Sequence, residues 1–270
     1  MTITEYFGLT EQPFRIGPDP RYLFYSDQVR EAIAKCEYLA RERVGPIYMF
    51  GPIGSGKTSI LRRLAERLST DQRYLVAYVI ASNVRRPNTF LKVVMEAFDV
   101  STVRSYDPNL KLFEAFLVDQ HRNGVVPVLL LDEAQNANRE VLRLIHYLLN
   151  FETATTKLLQ IVLAGQEELA ARIHRFRELA SRMFPIAINA MSGQDLEAMI
   201  RFRWMVAGGK EPPFTPGQQV YKTLFAYSKG LPRDAVKICD EVLRELLSSN
   251  RQQATVADVE TIAKQFDLTA

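Results

Sequence analysis

Gly51-Pro52-Ile53-Gly54-Ser55-Gly56-Lys57-Thr58 narrows the possibilities for this chain more than any other segment. It fits the spacing GxxxxGK[ST] in full, and that pattern has a physical meaning in one setting only: strand, tight loop, helix. The setting is present. Ile47–Phe50 is a short β-rich run immediately before it, and Ile60, Leu61, Leu64 and Leu68 line one helical face immediately after it. Glycines let the backbone curl so that successive N–H groups point inward, and a helix from about Thr58 adds the positive end of its dipole. Such a loop cradles the phosphates of a nucleotide. Gly51 to Gly56 supply the curled backbone, Lys57 reaches the β- and γ-phosphates, the Thr58 hydroxyl ligates Mg²⁺, and Ser59 follows on the same turn.

The rest of the chain supplies the scaffold such a loop needs. β-rich runs recur at Tyr74–Ala81, Val128–Leu131, Leu159–Ala164 and Phe184–Ile188. Helical patterns lie between them at Thr58–Leu68, Asn88–Phe98, Leu110–Asn123, Arg139–Asn150 and Glu167–Arg175. This alternation predicts an α/β fold, a parallel five-stranded sheet covered by helices on both faces. Ahead of it, Pro13, Pro18 and Pro20 break a lead-in rich in aromatics, and a helix runs from Ser26 to about Arg43. Beyond Asn189 only helices are expected. Ser192 with Asp195 starts the first and Gly208–Gly209 ends it; Pro212, Pro213 and Pro216 form a linker. Further helices reach about Tyr227, then run from Pro232 to Leu247 and from Thr255 to about Phe266. The expected domains are 1–45, a lead-in and helix packing on the nucleotide site; 46–190, the α/β ATPase domain; and 191–270, a helical lid.

Val128-Leu129-Leu130-Leu131-Asp132-Glu133 is the second chemical element. Its aliphatics predict a central buried strand beside the phosphate-loop strand, with the two acids at its C-terminal end, where α/β sheets bind ligands. Asp132 would hold Mg²⁺ through water, and Glu133 would polarise the water that attacks the γ-phosphate. Adjacent acids at a strand end can also cap a helix, and Asn136 and Asn138 follow; beside an intact phosphate loop the catalytic role is the expected one.

Composition excludes more than it assigns. With 47% hydrophobic and 24% charged residues over 270, the chain is an ordinary globular sequence, and a net charge of +3 announces no nucleic acid by itself. Cys36 and Cys239 stand far apart in apolar helical stretches, which fits a reducing cytoplasm and gives neither a disulfide framework nor metal-ligand spacing. His121, His146 and His174 are equally scattered. The N-terminus lacks the pattern of a signal peptide, and the longest apolar run, Val125–Leu131, falls far short of the roughly 20 residues of a spanning helix. A cytoplasmic protein without a membrane span is expected.

Further blocks carry a family resemblance. Tyr6-Phe7-Gly8-Leu9 with Pro13-Phe14 and Tyr22–Tyr25, Leu131-Asp132-Glu133-Ala134-Gln135, Leu163 to Leu169 and Gly230-Leu231-Pro232-Arg233 resemble AAA+ ATPases, most specifically the ExeA/TniB/TnsC group of secretion and transposition ATPases. The resemblance covers nearly the whole chain. It implies a P-loop NTPase with ATP and Mg²⁺ as cofactors. It further implies Gln166 as a sensor beside the Asp-Glu strand and Arg233 as a lid sensor touching the phosphates, although Arg233 could simply pair with Asp234 or Asp240. Arg182 resembles an arginine finger reaching a neighbouring subunit's site, with Arg177 as its competitor, so a homo-oligomer (a hexamer-like ring or a filament) is implied. Tyr6, Phe7 and Phe14 would form the adenine wall or else cover the core.

Two cargo classes remain open. In TnsC-like proteins the region matching Arg85-Arg86-Pro87 and Arg104-Ser105 tracks DNA phosphates, which implies assembly on double-stranded DNA with a transposase and a targeting adaptor as partners. The alternative is an ExeA-type ATPase in a secretion or envelope assembly. That type is expected to carry a spanning helix and a domain after the lid, neither of which this sequence has; the transposition reading is therefore the expected one.

Overall fold

The computed structural model describes residues 1–17, 19–81, 85–214 and 218–270, so Pro18 and Pro216, read above as breaks, lie outside the described residues. The chain divides into two compact units, one of Asp27–Gly51 and Lys57–Ile188, the other of Met1–Ser26, Pro52–Gly56 and Asn189–Ala270.

The first unit is the α/β one. Its strands are β1 (Ile47–Phe50), β2 (Tyr74–Ile80), β3 (Val126–Asp132), β4 (Gln160–Gly165) and β5 (Phe184–Ala187), all parallel, in the order β2-β3-β4-β1-β5. Its helices are α2 (Asp27–Glu42), α3 (Lys57–Ser69), α4 (Pro87–Ala97), α5 (Tyr106–Arg122), α6 (Arg139–Leu148), α7 (Glu167–Arg175) and the short α8 (Arg177–Ala180). Both faces of the sheet are covered, and the alternation shows how. Tyr48, Leu129, Leu131, Ile161 and Leu163 join one core with residues of α4 to α8, while the alternate residues Ile47, Met49, Val128, Leu130 and Val162 are equally buried and point the other way. On that side α3 packs on β2, β3 and β4, with α2 against α3.

The five strands stand where the apolar runs put them, with ends moved by a residue or two, and β3 is buried along its whole length. One placement differs. β3 pairs with β2 and β4, and β4 lies between it and β1, so the Asp-Glu strand is not beside the phosphate-loop strand. Parallel strands need crossovers, and the crossover through α6 returns the chain to the gap between β3 and β1. The intervening strand separates the two chemical loops by about 10 Å, two strand spacings.

The helical unit holds α1 (Ile3–Phe7), α9 (Gly193–Val206), α10 (Gln218–Ser228), α11 (Pro232–Ser248) and α12 (Val256–Gln265), with a 3₁₀ turn at Pro20–Tyr22. The expected caps are present: Ser192 Oγ accepts from the Asp195 N–H, and Thr255 with Asp258 makes a reciprocal capping box. A similar box, Thr2 with Glu5, starts α1, a helix that hydrophobic periodicity is too short to reveal. Two expectations fail for one reason, aromatic burial. The lead-in and α2, grouped above as 1–45, fall to different units, because Ile3, Leu9 and Phe14 pack with Trp204 in the helical core while α2 packs on α3. Pro212–Phe214, read as linker, is buried, and Phe214 meets Phe14 edge-on with centroids 5.8 Å apart.

Arg203 holds this lead-in in place. The residue is 9% exposed, and its guanidinium donates to the carbonyls of Pro13 (2.9 Å) and Arg15 (3.0 Å) and sits 4.8 Å from the Tyr22 ring centroid. Burial pulls its pKa down to about 10, still high enough to stay charged. Cys36 and Cys239 are fully buried, and burial pushes the Cys36 thiol up to about 12, which keeps it unreactive. No helix of the described residues is long and apolar enough to cross a membrane.

Candidate functional site

Strand register brings the chemistry into one row. Phe50 of β1 is level with Gly165 of β4, and Leu131 of β3 is level with Leu163. Gly51 and Gln166, which follow β1 and β4, and Asp132-Glu133, at the end of β3, therefore emerge together at the C-terminal edge of the sheet, the ligand-binding edge of open α/β folds.

The phosphate loop curls as its glycines allow. Gly54 (φ +83°) and Gly56 (φ +98°) occupy the left-handed half of backbone space, and a Cβ at Gly56 would point into open space. That space, at the N-terminal end of α3, is where phosphate oxygens would lie. Lys57 begins α3; its buried ammonium donates to the Gly51 carbonyl at 2.9 Å, closing the loop on itself. Thr58 is half-buried one residue on.

Asp132 is 4% exposed. Its Oδ1 accepts from the Glu133 N–H (2.9 Å) and its Oδ2 from the Tyr78 hydroxyl (2.7 Å). Burial, with Asp132 adding to it, raises the Tyr78 pKa strongly, so this phenol remains a donor across the physiological range. Tyr78 escaped the sequence reading because it stands on β2 among ordinary strand aromatics. Glu133 stands at the N-cap position of the 3₁₀ turn Ala134–Asn136 but makes no side-chain cap bond there, and α6 is capped by Asn138, whose side chain accepts from the Val141 N–H at 2.9 Å. Glu133 is half-buried with φ +53°, a rare backbone conformation for a residue with a side chain. The carboxylate of Asp132 and the hydroxyl of Thr58 are hard oxygen donors that suit Mg²⁺, and the open loop suits a polyphosphate.

Gln166 stands at the N-cap position of α7 without a side-chain cap bond, and its backbone N–H donates to Gln135 Oε1 at 3.1 Å. Gln135, 8% exposed, in turn donates from Nε2 to Glu133 Oε2 at 2.5 Å. Gln135 stood only as a letter in a motif, and nothing in its spacing gave it a chemical role.

Arg233 lies at the second position of α11, after Pro232. Its N–H donates to the Gly54 carbonyl at 3.2 Å, and a Cβ at Gly54 would come within 2.9 Å of its own Cβ. This arginine therefore packs directly on the phosphate loop. Asp240 is engaged by Arg244 instead, and among the described residues Arg233 forms no salt bridge.

Arg182 stands at the opposite edge of the sheet. It precedes β5, whose first residue Phe184 is level with Ile47, the first residue of β1. It is exposed and donates to the Asn150 side chain. Burial, and then the nearby Arg182 charge, lower the pKa of His146, which favours its neutral form; the same two causes lower that of Lys157, which pairs with Glu152. Arg177, its competitor, is exposed at the start of α8.

The adenine wall fares differently. Phe14 is fully buried against Trp204 and Phe214 and presents no face to a purine; it belongs to the core. The Leu9 N–H is bonded to the Thr4 carbonyl. Phe7 stays half-exposed, edge-on to Trp204 and to Tyr6, whose hydroxyl donates to Asn250.

The two basic loops are stitched together. Arg86 is extended (φ −96°, ψ 127°), as the following proline requires, and precedes α4. Asn88 of α4 donates to the Arg104 carbonyl (3.1 Å), and the fully buried Asn109 donates to Asn88 (3.2 Å) and the Val103 carbonyl (3.0 Å). Asn138 donates to the Arg85 carbonyl (2.7 Å). Arg85, Arg86, Arg104 and Ser105 are all exposed on this frame.

Comparison with known proteins agrees with the fold. The profile of the AAA domain matches residues 40–173. General secretion pathway protein A of Aeromonas hydrophila is 33% identical over 267 residues, which take in 96% of this chain and 48% of that protein. The chain thus spans about half the length of the curated relative it matches, and where it stops carries no weight between the two cargo classes. Cdc6p from Pyrobaculum aerophilum has the same fold, with a TM-score of 0.72 at 16% identity over 95% of this chain and 72% of that one. Drosophila ORC bound to DNA gives a TM-score of 0.69 at 17% identity over 97% of this chain and 67% of that one.

Proposed function

We propose that this chain, which has the P-loop AAA+ fold and matches the AAA-domain profile over residues 40–173, is an ATP hydrolase whose cycle drives a protein assembly of the general secretion type. The observation that carries the hydrolase reading is the single row at the end of the sheet: phosphate loop, Asp132-Glu133 and Gln166, set in register by β1, β3 and β4. The observation that carries the cargo reading is the likeness to a general secretion pathway protein along nearly the whole chain.

Each side chain then has a task. The curled amides from Gly51 to Gly56 and the Lys57 ammonium bind the phosphates. Thr58 and Asp132, the latter steadied by Tyr78, would hold Mg²⁺. When bound, that ion neutralises phosphate charge. Glu133 takes a proton from the attacking water, Gln166 orients the water or the terminal phosphate, and Arg233, seated on Gly54, reaches the phosphates of its own subunit. Arg182 acts on a neighbouring subunit, so the active species is a homo-oligomer. Lys57→Ala is expected to abolish binding of a fluorescent ATP analogue and, with it, phosphate release; retained binding would refute the phosphate-loop assignment.

A second reading, assembly on duplex DNA, is favoured by the stitched frame of Arg85, Arg86, Arg104 and Ser105, and one neighbour of the fold is a complex bound to DNA. Recruitment of a transposase and an adaptor rests on the sequence resemblance alone. Electron microscopy with a non-hydrolysable ATP analogue separates the readings: oligomers indifferent to duplex DNA support the secretion role, and oligomers that form only with DNA support the second. In the latter case Arg85→Ala with Arg86→Ala should weaken DNA binding and make its log–log salt slope shallower by about 2; unchanged binding would remove these loops from the interface.

A further inference from the structure

We propose that Gln135 is a positioning residue for hydrolysis, its side-chain amide bridging the Glu133 carboxylate to the backbone at the tip of β4. The inference rests on the reading of Glu133 as the base and deepens it.

The orientation of the bridge follows from one donor. The Gln166 N–H can only donate, so the Gln135 carbonyl oxygen must face it, 3.1 Å away. The Gln135 amide nitrogen is then left to face Glu133, where it lies 2.5 Å from Oε2. A carboxylate oxygen accepts there, and Glu133 Oε1, which accepts no hydrogen bond among the described residues, is the oxygen left for water. At its other end Glu133 is also restrained, since its backbone N–H is bonded to Asp132 Oδ1.

Gly165 makes the bridge possible. A Cβ at that position would come within 2.7 Å of Gln135 Oε1 and 3.0 Å of Gln135 N, so the strand end must be bare for the amide to lie across it. A glutamate at the mouth of a site samples several rotamers, only some of which aim an oxygen at the attacking water. Gln135 selects among them and ties the choice to the strand end that carries Gln166. Movement of that strand end on sensing the terminal phosphate would therefore move the base.

The test is a split between turnover and binding. Gln135→Met keeps the length and volume of the side chain and removes both hydrogen bonds; Gln135→Glu keeps the acceptor for Gln166 but has no N–H for Glu133. Both variants are expected to lose about 10- to 100-fold in kcat for phosphate release, with KM and the Kd of a fluorescent ATP analogue within about 2-fold of wild type. Wild-type or raised kcat in Gln135→Met overturns the proposal, as does a weakening of Kd that matches the loss in kcat. Glu133→Gln measured alongside separates the two levels. If it is inactive while Gln135→Met is normal, only the bridge fails; if it turns over normally, the reading of the base falls and the bridge with it.

Discussion

Glu133→Gln is expected to lower kcat for ATP hydrolysis by about 10²–10⁴-fold, the usual worth of a general base, while leaving nucleotide affinity nearly unchanged. The exchange replaces one carboxylate oxygen by an amide group of the same shape, so the left-handed backbone at φ +53° and the bond from its N–H to Asp132 need not move. The proposed phosphate site lies elsewhere, on the curled loop and Lys57, two strands away in the sheet. The loss corresponds to about 3–5.5 kcal/mol of transition-state stabilisation, realised in kcat alone. A variant that retains ATP but cannot cleave it should also hold the oligomer in its ATP-bound form. Phosphate release and analogue binding, measured on the same sample, check both halves; hydrolysis within about 3-fold of wild type would deny Glu133 the role of base.

What could be read from the letters, and what could not, divides along a physical line. Local rules were sufficient for the strands, because parallel strands buried on both faces are near-continuous apolar runs, and for the phosphate loop, because the positive φ of Gly54 and Gly56 strongly favours glycine. Sheet order was not legible: no local property of Val126–Asp132 says whether β1 or β4 lies beside it, and the crossover lengths admit both. The aromatics misled for a related reason. Phe7 and Phe14 have the same chemistry in the sequence, and only the packing of Trp204 and Phe214 decides that Phe14 is core and Phe7 half-exposed. Tyr78 and Gln135, which orient the two acids, were invisible because each acts through a partner that is distant along the chain or bonded by side-chain geometry alone. Motifs report residues that touch the ligand. Those that hold such residues in place are found in hydrogen bonds.

Arg182→Ala should reduce hydrolysis by about 10³–10⁵-fold in the assembled protein, and mixing should reverse part of that loss. The reason lies in the direction of the sheet. Arg182 comes before β5, at the N-terminal edge, with its carbonyl oxygen 3.4 Å from where a Cβ on Gly45 would sit, just ahead of β1. The phosphate loop leaves the far end of β1, four residues on, about 13 Å of strand away. An arginine side chain cannot span that length around the edge of a packed sheet, so Arg182 cannot finish the site of its own chain. A neighbour's site can receive it, since Arg182 is exposed and forms no salt bridge among the described residues. Complementation follows directly. Arg182→Ala retains an intact phosphate loop but no finger, Lys57→Ala retains the finger but no loop, and each alone is inactive. In mixed oligomers a Lys57→Ala protomer lends its arginine to the loop of an Arg182→Ala neighbour, and phosphate release should reappear, rising and then falling as the mixing ratio is varied. Arg177→Ala, carried through the same assay, should act like wild type. A mixture as silent as its parts, in samples that still oligomerise, would mean that Arg182 serves its own fold and that the site is completed in some other way.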